Sequence, residues 1–281
     1  MTTARPRARR RFGQHFLEPG WVKKVIEVVA PLADDLFLEI GPGTGALTLP
    51  LAKRVAHIIA IEIDRDLAAR LTPRLPPNVT LLRADALNVD LASVLADATA
   101  RFGPAAGGAL RAVGNLPYNV ASPILFRILD FQRADPAVPF TDATLMLQAE
   151  VAARLEAQPG SKDYGVLTIL TRLHATATRL LTLPPGAFRP MPAVTSAVVR
   201  LEFHRPSTPV ADRAVFEHLV RSIFTQRRKT LRNALRGVAS RSTIPVDAAL
   251  AQAGLDPRRR PETLEMLDLA RLAEVFASAR Q

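Results

Sequence analysis

The strongest constraint on the fold is a repeated order of elements, in which short, almost wholly apolar runs stop at a polar or glycine break before helical periodicity begins. The runs are 36-LFLEI-40, 57-HIIAIEI-63, 79-VTLLRA-84, 110-LRAVGN-115 and 143-ATLMLQ-148. Helical spacing of apolar residues marks 21–32, 46–55, 64–71, 120–131 and 149–157. Strands alternating with helices at this spacing predict a parallel, doubly wound α/β sheet, and unbroken apolar runs suit strands covered on both faces. The pattern then changes. Segments 174–183 and 194–205 are β-rich around a proline-rich loop, as expected of an antiparallel pair closing one sheet edge. Beyond a linker at 206-PSTP-209, residues 211–280 have mostly helical periodicity. The expected architecture is a Rossmann-like domain, 12–205, mostly parallel with an antiparallel edge, followed by a small α-helical domain, 206–281, and preceded by a basic arm, 1–11.

Composition narrows the function classes. With 281 residues and 48% hydrophobic content, the chain can bury a substantial core. No apolar run approaches the ~18 residues of a membrane span, and no signal-peptide pattern is present, so no membrane partner is expected. There are no cysteines, and the five histidines lack ligand spacing, so no metal is expected. The net charge of +11 is uneven. Five arginines and no acid occupy 1–11, 19 basic and 18 acidic residues occupy 12–205, and 13 basic and 8 acidic residues occupy 206–281. An excess concentrated at both ends points to a polyanion, nucleic acid first.

In an open α/β sheet, ligands bind beyond the carboxyl ends of the strands. Four features fall there. The loop 39-EIGPGTG-45 joins a strand to a helix, and its GxGxG spacing departs from the GxGxxG of dinucleotide folds toward a nucleoside ligand. Glu62 ends the second strand, where a carboxylate can accept from both hydroxyls of a ribose. Asp85 ends the third, placed to accept from an exocyclic adenine amine. The fourth strand ends in 114-GNLPY-118. An adenine amine is a poor nucleophile because its lone pair is delocalised into the ring, and a site accepting hydrogen bonds from both N–H groups favours the pyramidal geometry of attack. Asn115 can supply one acceptor and the Leu116 carbonyl the other, since Pro117 restricts the preceding residue to extended conformations. Tyr118 offers a flat face for a base taken out of its stack.

These motifs, with 12-FGQHFL-17, 61-IEID-64, 84-ADAL-87, 188-FRPMPAVTS-196 and 224-FTQRRKTLRNAL-235, resemble the small-subunit ribosomal RNA adenine N6,N6-dimethyltransferase family of the KsgA/RsmA type over nearly the whole chain. The resemblance implies S-adenosyl-L-methionine as methyl donor, S-adenosyl-L-homocysteine as product, and two adjacent adenosines near the 3′ end of small-subunit rRNA as substrates. It implies that His15 and Leu17 line the donor site, and because position 15 alternates between Asn and His in that family, the contact at 15 would be through backbone. Glu39, Gly41 and Gly43 would form the donor cradle, with Gly41 beneath the methionine and ribose portion. Glu62 would hold the ribose and Asp85 the adenine. Asn115, Leu116, Pro117 and Tyr118 would form the catalytic strand end, with Phe188 as the second wall of a base sandwich with Tyr118.

In the tail, Ile223, Phe224, Leu231 and Leu235 form an apolar stripe, leaving Arg227, Arg228, Lys229 and Arg232 as candidate RNA contacts. The partner implied is rRNA within an immature 30S-type particle, with the enzyme a monomer. The rival readings are DNA adenine-N6 methylation, and an assembly factor that binds immature small subunits with methylation secondary.

Overall fold

The computed structural model describes residues 14–103, 108–134, 139–206, 208–240 and 242–279, so the basic arm 1–11 lies outside the described residues. The strands are β1 (Phe16–Leu17), β2 (Leu36–Ile40), β3 (His57–Glu62), β4 (Val79–Arg83), β5 (Leu110–Asn115), β6 (Asp142–Gln148), β7 (Ala175–Leu183), β8 (Phe188–Arg189) and β9 (Ser196–Phe203). Seven form one sheet in the order β4-β3-β2-β5-β6-β9-β7, and β1 pairs with β8 in a separate two-stranded ladder. From β4 to β6 every neighbouring pair is parallel, and β9 runs antiparallel to β6. The fold is thus the predicted α/β sheet with an antiparallel edge. Every residue of β2 and β3 is buried, as their unbroken apolar runs require. The winding steps outward from β2 to β3 and β4, then returns to β5 on the other side of β2. The crevice at that reversal is where a doubly wound sheet binds ligands.

Helices α1 (Pro19–Val29), α2 (Thr48–Ala52), α3 (Arg65–Leu71), α4 (Leu91–Phe102), α5 (Ala121–Arg133) and α6 (Ala149–Glu156) alternate with the strands. The α2 helix is shorter than its periodicity suggests, and Pro50 is tolerated in its first turn, where no intrahelical donor is needed. The α4 helix was not anticipated from the sequence. Asp90 caps it, its carboxylate accepting from the Ala92 and Ser93 N–H groups.

Behind the sheet, the carboxyl-terminal end of α1 is held by arginines reaching from the strands. Arg111 on β5 donates to the Val29 and Ala30 carbonyls, and Arg200 on β9 donates to those of Val28 and Val29. These bonds satisfy carbonyls that a helix end leaves unpaired, and a cation there suits the helix dipole. Arg111 also bridges Asp35 at 3.0 Å and Asp142 at 2.9 Å, both buried. That explains an arginine in an otherwise apolar strand.

The chain divides into two compact units. One comprises the chain up to Ala152 with Thr176–Phe203, and the other Ala153–Ala175 with His204 onward. The division drawn from the sequence at 205/206 differs at residues 204–205 and chiefly in the segment 153–175, both of which group with the helical unit. There Tyr164 is buried, its hydroxyl donates to the Leu264 carbonyl at 2.8 Å, and its ring meets Phe224 edge-on at 5.9 Å. The unit's helices are α7 (Val166–Arg172), α8 (Arg213–Phe224), α9 (Leu231–Ala234), α10 (Arg236–Ala239), α11 (Val246–Gln252) and α12 (Met266–Ser278). The stripe of Ile223, Phe224, Leu231 and Leu235 is buried, as its spacing predicts.

Candidate active site

A cleft opens beyond the carboxyl ends of β2, β3 and β5, with residues 14–17 as a further wall. The glycine loop forms its floor. Gly41 and Gly43 adopt φ of 73° and 57°, a left-handed conformation that side chains rarely take. This conformation lets the Gly43 N–H donate to Glu62 Oε2 at 2.9 Å, while the Asp64 N–H donates to Glu62 Oε1 at 2.8 Å. Burial raises the Glu62 carboxyl above its ordinary pKa; the backbone N–H groups of Asp64, Gly43 and Ile63 oppose that rise and the Asp64 charge adds to it. Each oxygen keeps a lone pair for a further donor, so the fixed carboxylate is able to accept from two hydroxyls.

Glu39, one residue before the end of β2, is buried to 2% exposure and also lines the cleft. Burial pushes its carboxyl up to about 7; the Thr48 hydroxyl works against this and the Glu62 charge adds to it. Among the described residues neither Glu39 Oε2 nor Thr48 Oγ1 reaches a hydrogen-bond partner of normal geometry.

Asp85 lines the cleft and organises the turn after β4, accepting from the Leu87 N–H at 2.9 Å and from Asn88 Nδ2 at 2.8 Å. Its neighbours Ala86 and Leu87 line the cleft, as does Ile63 beside Glu62, 51% exposed despite its size. Sequence reasoning passed over these apolar residues because nothing in an apolar side chain next to a strand-end acid distinguishes a ligand contact from core. Gln14 was also missed. It lines the cleft and donates to Asp64 at 3.2 Å.

At the end of β5, Asn115 Nδ2 donates to the His15 carbonyl at 2.7 Å. That bond fixes the amide's orientation and leaves Oδ1 as the acceptor. Leu116, Pro117 and Tyr118 follow in the cleft wall, and the Leu116 N–H extends the ladder to the Met146 carbonyl at 3.3 Å. The Tyr118 hydroxyl pairs with Ser196 Oγ at 2.6 Å. The His15 ring stacks on Tyr118 with centroids 5.3 Å apart and 26° between planes, and His15 Nδ1 bonds to the Pro190 carbonyl at 2.7 Å. His15 therefore acts through its backbone on Asn115 and through its ring on Tyr118.

Phe188 is placed differently from the expectation. It lies opposite Leu17 in the β1–β8 ladder, so both side chains share a face, and both belong to a buried core cluster. Phe188 is fully buried and does not line the cleft, so the ring facing Tyr118 is His15. Phe16, opposite Arg189, projects to the other face and lies over Gly43.

Of the tail cations, Arg227 pairs with Glu262 at 3.1 Å and Arg232 with Asp247 at 2.8 Å, whereas Arg228 and Lys229 are exposed. The loop carrying Arg258, Arg259 and Arg260 meets this segment through main-chain bonds, Leu231 N–H to the Arg259 carbonyl and Arg232 N–H to the Pro257 carbonyl. No group of metal-ligand side chains occurs among the described residues.

The sequence model of the family described as ribosomal RNA adenine dimethylase matches residues 5–277. The chain belongs to that family. It is 43% identical over 284 residues to a ribosomal RNA small subunit methyltransferase A of Nitrosococcus oceani, covering 100% of both chains. It is 44% identical over 271 residues to one from Anaeromyxobacter, covering 95% of this chain and 92% of that one. A dimethyladenosine transferase from Plasmodium falciparum superposes with a TM-score of 0.76 at 24% identity, covering 94% of this chain and 98% of that one, a likeness of fold. The 23S rRNA methyltransferase ErmE gives 0.62 at 26% identity, covering 93% and 99%. The protein is thus a methyltransferase that dimethylates adenine in ribosomal RNA.

Proposed function

We propose that the cleft binds S-adenosylmethionine and that the strand end at 115–118 presents N6 of adenosines near the 3′ end of small-subunit rRNA to it, two adjacent adenosines each receiving two methyl groups. The residues present suit the donor. The left-handed glycine loop leaves room for close backbone approach, Glu62 retains acceptor capacity for the ribose, and Asp85 stands where an adenine amine would be held. Ile63, Ala86 and Leu87 supply apolar surface for the adenine ring. The donor supplies an electrophilic methyl group.

The chain's own contribution is geometric. Asn115 Oδ1 and the Leu116 carbonyl accept from the target amine, drawing its nitrogen toward pyramidal geometry, and Tyr118 stacks on the extruded base with the face that His15 leaves open. The proton lost from N6 passes to water, and no side chain with a tuned pKa is required for it. The observation carrying this reading is the 2.7 Å bond from Asn115 to the His15 carbonyl, which commits the amide oxygen to the acceptor role. Arg228 and Lys229 are assigned to phosphate contacts. The setting is an immature 30S-type particle in the cytoplasm, met by a monomer, and no helix among the described residues is long and apolar enough to cross a membrane.

The test is transfer of labelled methyl from S-adenosylmethionine to undermethylated small subunits, naked rRNA and DNA in parallel, with the modified nucleoside identified. N6,N6-dimethyladenosine in the small-subunit sample is expected. Label confined to DNA, or tight subunit binding without label, would overturn the reading in favour of a DNA enzyme or an assembly factor. Asn115→Ala should lose most transfer while keeping donor affinity within a few fold, and equal loss of both would remove the role given to Asn115.

A further inference from the structure

We propose that Ser196 is the positioning residue that locks the Tyr118 ring, and that the second methyl transfer to each adenosine depends on this lock more than the first. The inference rests on the reading that Tyr118 stacks on the target base.

Stacking asks only for an aromatic ring, and a phenylalanine would supply one. The hydroxyl of Tyr118 has a separate task. It lies 2.6 Å from Ser196 Oγ, and Ser196 is fully buried as the first residue of β9. Tyr118 follows the end of β5, and β6 lies between β5 and β9 in the sheet. The phenol therefore reaches across β6 to a fixed point, where Ser196 is in register with Gln148, the last residue of β6. Burial lifts the phenol above its ordinary pKa and the Ser196 hydroxyl works against that rise, so Tyr118 remains a neutral hydroxyl at neutral pH.

The terminal torsion of a tyrosine is broad, so nothing within the side chain holds the plane of the ring. Two outside contacts do. Ser196 fixes the hydroxyl end, and the His15 ring covers one face with 5.3 Å between centroids. The loop between these contacts is tied at both ends. The Pro190 carbonyl accepts from His15 Nδ1 at 2.7 Å, and the Thr195 carbonyl accepts from the Ala149 N–H at 2.9 Å. Ring plane and open face are thus set before a base arrives.

Each transfer forms an N6–C bond as the donor's C–S bond breaks, the sulfur keeping that electron pair and N6 releasing a proton to water. An unmodified adenine amine brings two N–H groups to its two acceptors, Asn115 Oδ1 and the Leu116 carbonyl. After one transfer a single N–H remains, and one acceptor loses its donor. A larger share of the base's alignment then falls to the stack on Tyr118. A ring free to tilt costs little while two hydrogen bonds orient the amine, and more when only one does.

The experiment is a time course of methyl transfer from labelled S-adenosylmethionine to undermethylated small subunits, with N6-methyladenosine and N6,N6-dimethyladenosine resolved. The unaltered chain is compared with Ser196→Ala, Tyr118→Phe, the double variant and Tyr118→Ala. Ser196→Ala and Tyr118→Phe should each slow the second transfer about tenfold and the first only a few fold, so that N6-methyladenosine accumulates. The double variant should do no worse than either single one, because both remove the same hydrogen bond. Donor affinity within a few fold of the unaltered chain, measured by calorimetric titration, checks the fold. A merely structural role would slow both transfers alike. An unchanged product ratio in Ser196→Ala, or effects of the two substitutions that multiply, would overturn the assignment. If Tyr118→Ala transferred both methyl groups at the unaltered rate, the stacking reading would fall as well. An impaired Tyr118→Ala beside an unaffected Ser196→Ala would overturn the role of Ser196 alone.

Discussion

Asn115→Asp separates two accounts of the strand end that Asn115→Ala does not. If Asn115 were needed only as an acceptor, a carboxylate of nearly the same shape would serve. The structure predicts otherwise, because Nδ2 is committed at 2.7 Å to the His15 carbonyl. The substitution removes that partly buried hydrogen bond, roughly 1 kcal/mol, and sets a negative oxygen against a carbonyl that loses its donor, roughly a further 1–3 kcal/mol. If the total of about 2–4 kcal/mol appears in the transition state, turnover falls about 30- to 900-fold at ~1.36 kcal/mol per decade. The same change should loosen residues 14–17, because β1 is only two residues long and the His15 carbonyl is one of its anchors. Single-turnover methylation of undermethylated small subunits measures the first effect, and amide hydrogen exchange at residues 14–17 the second. Turnover within threefold of the unaltered protein, with unchanged exchange in that segment, would refute the argument and leave Asn115 a simple acceptor.

Arg111→Met leaves Asp35 and Asp142 buried without their cation, so denaturant unfolding of the sheet-bearing unit should show a loss of roughly 3–5 kcal/mol; a loss under 1 kcal/mol would mean that water satisfies both acids. Glu39 has the opposite sign from a salt-bridged acid. Its folded-state pKa is raised from 4.5 to about 7, so the ligand-free fold loses stability as pH climbs through that window and levels off above it. Ligand-free Glu39→Gln should accordingly match the parent near pH 4.5 and exceed it by up to about 3 kcal/mol at pH 8, read from melting temperatures across pH. Removing Arg228 and Lys229 should flatten the salt dependence of rRNA binding by about one unit of log–log slope each. Removing Arg227 or Arg232, already paired with Glu262 and Asp247, should do less.

The parallel core was legible because a strand buried on both faces has a simple signature, and β2, β3 and β5 carry it. The strand-end residues Glu62, Asp85 and Asn115 were legible for the same reason, since a polar side chain stands out where an apolar run stops. What escaped depends on partners far apart in sequence. Arg111 reads as a flaw in a strand until Asp35, Asp142 and the end of α1 are brought around it. Phe188 suggested a base wall by motif, but its pairing with Leu17 turns it into the core, and no local pattern reveals that register. The stacking of His15 on Tyr118 and the grouping of 153–175 with the helical unit have the same character. Both are set by contacts across about 100 residues, such as Tyr164 to Leu264.

The β1–β8 ladder also orders events during synthesis. Phe16 and Leu17 leave the ribosome before any strand of the large sheet, yet their ladder partners, Arg189 and Phe188, emerge only after β2 through β7 have been made. Until then the glycine loop lies without its front cover, and the His15 ring lacks the Pro190 carbonyl that anchors it. A nascent chain can therefore complete the floor of its cleft long before the wall. Closing so long a loop for a two-residue ladder is entropically weak on its own, so the wall forms as a late consequence of a finished sheet. Methyl-transfer competence thus arrives near the end of the domain's translation, when the last-made strands return to meet the first.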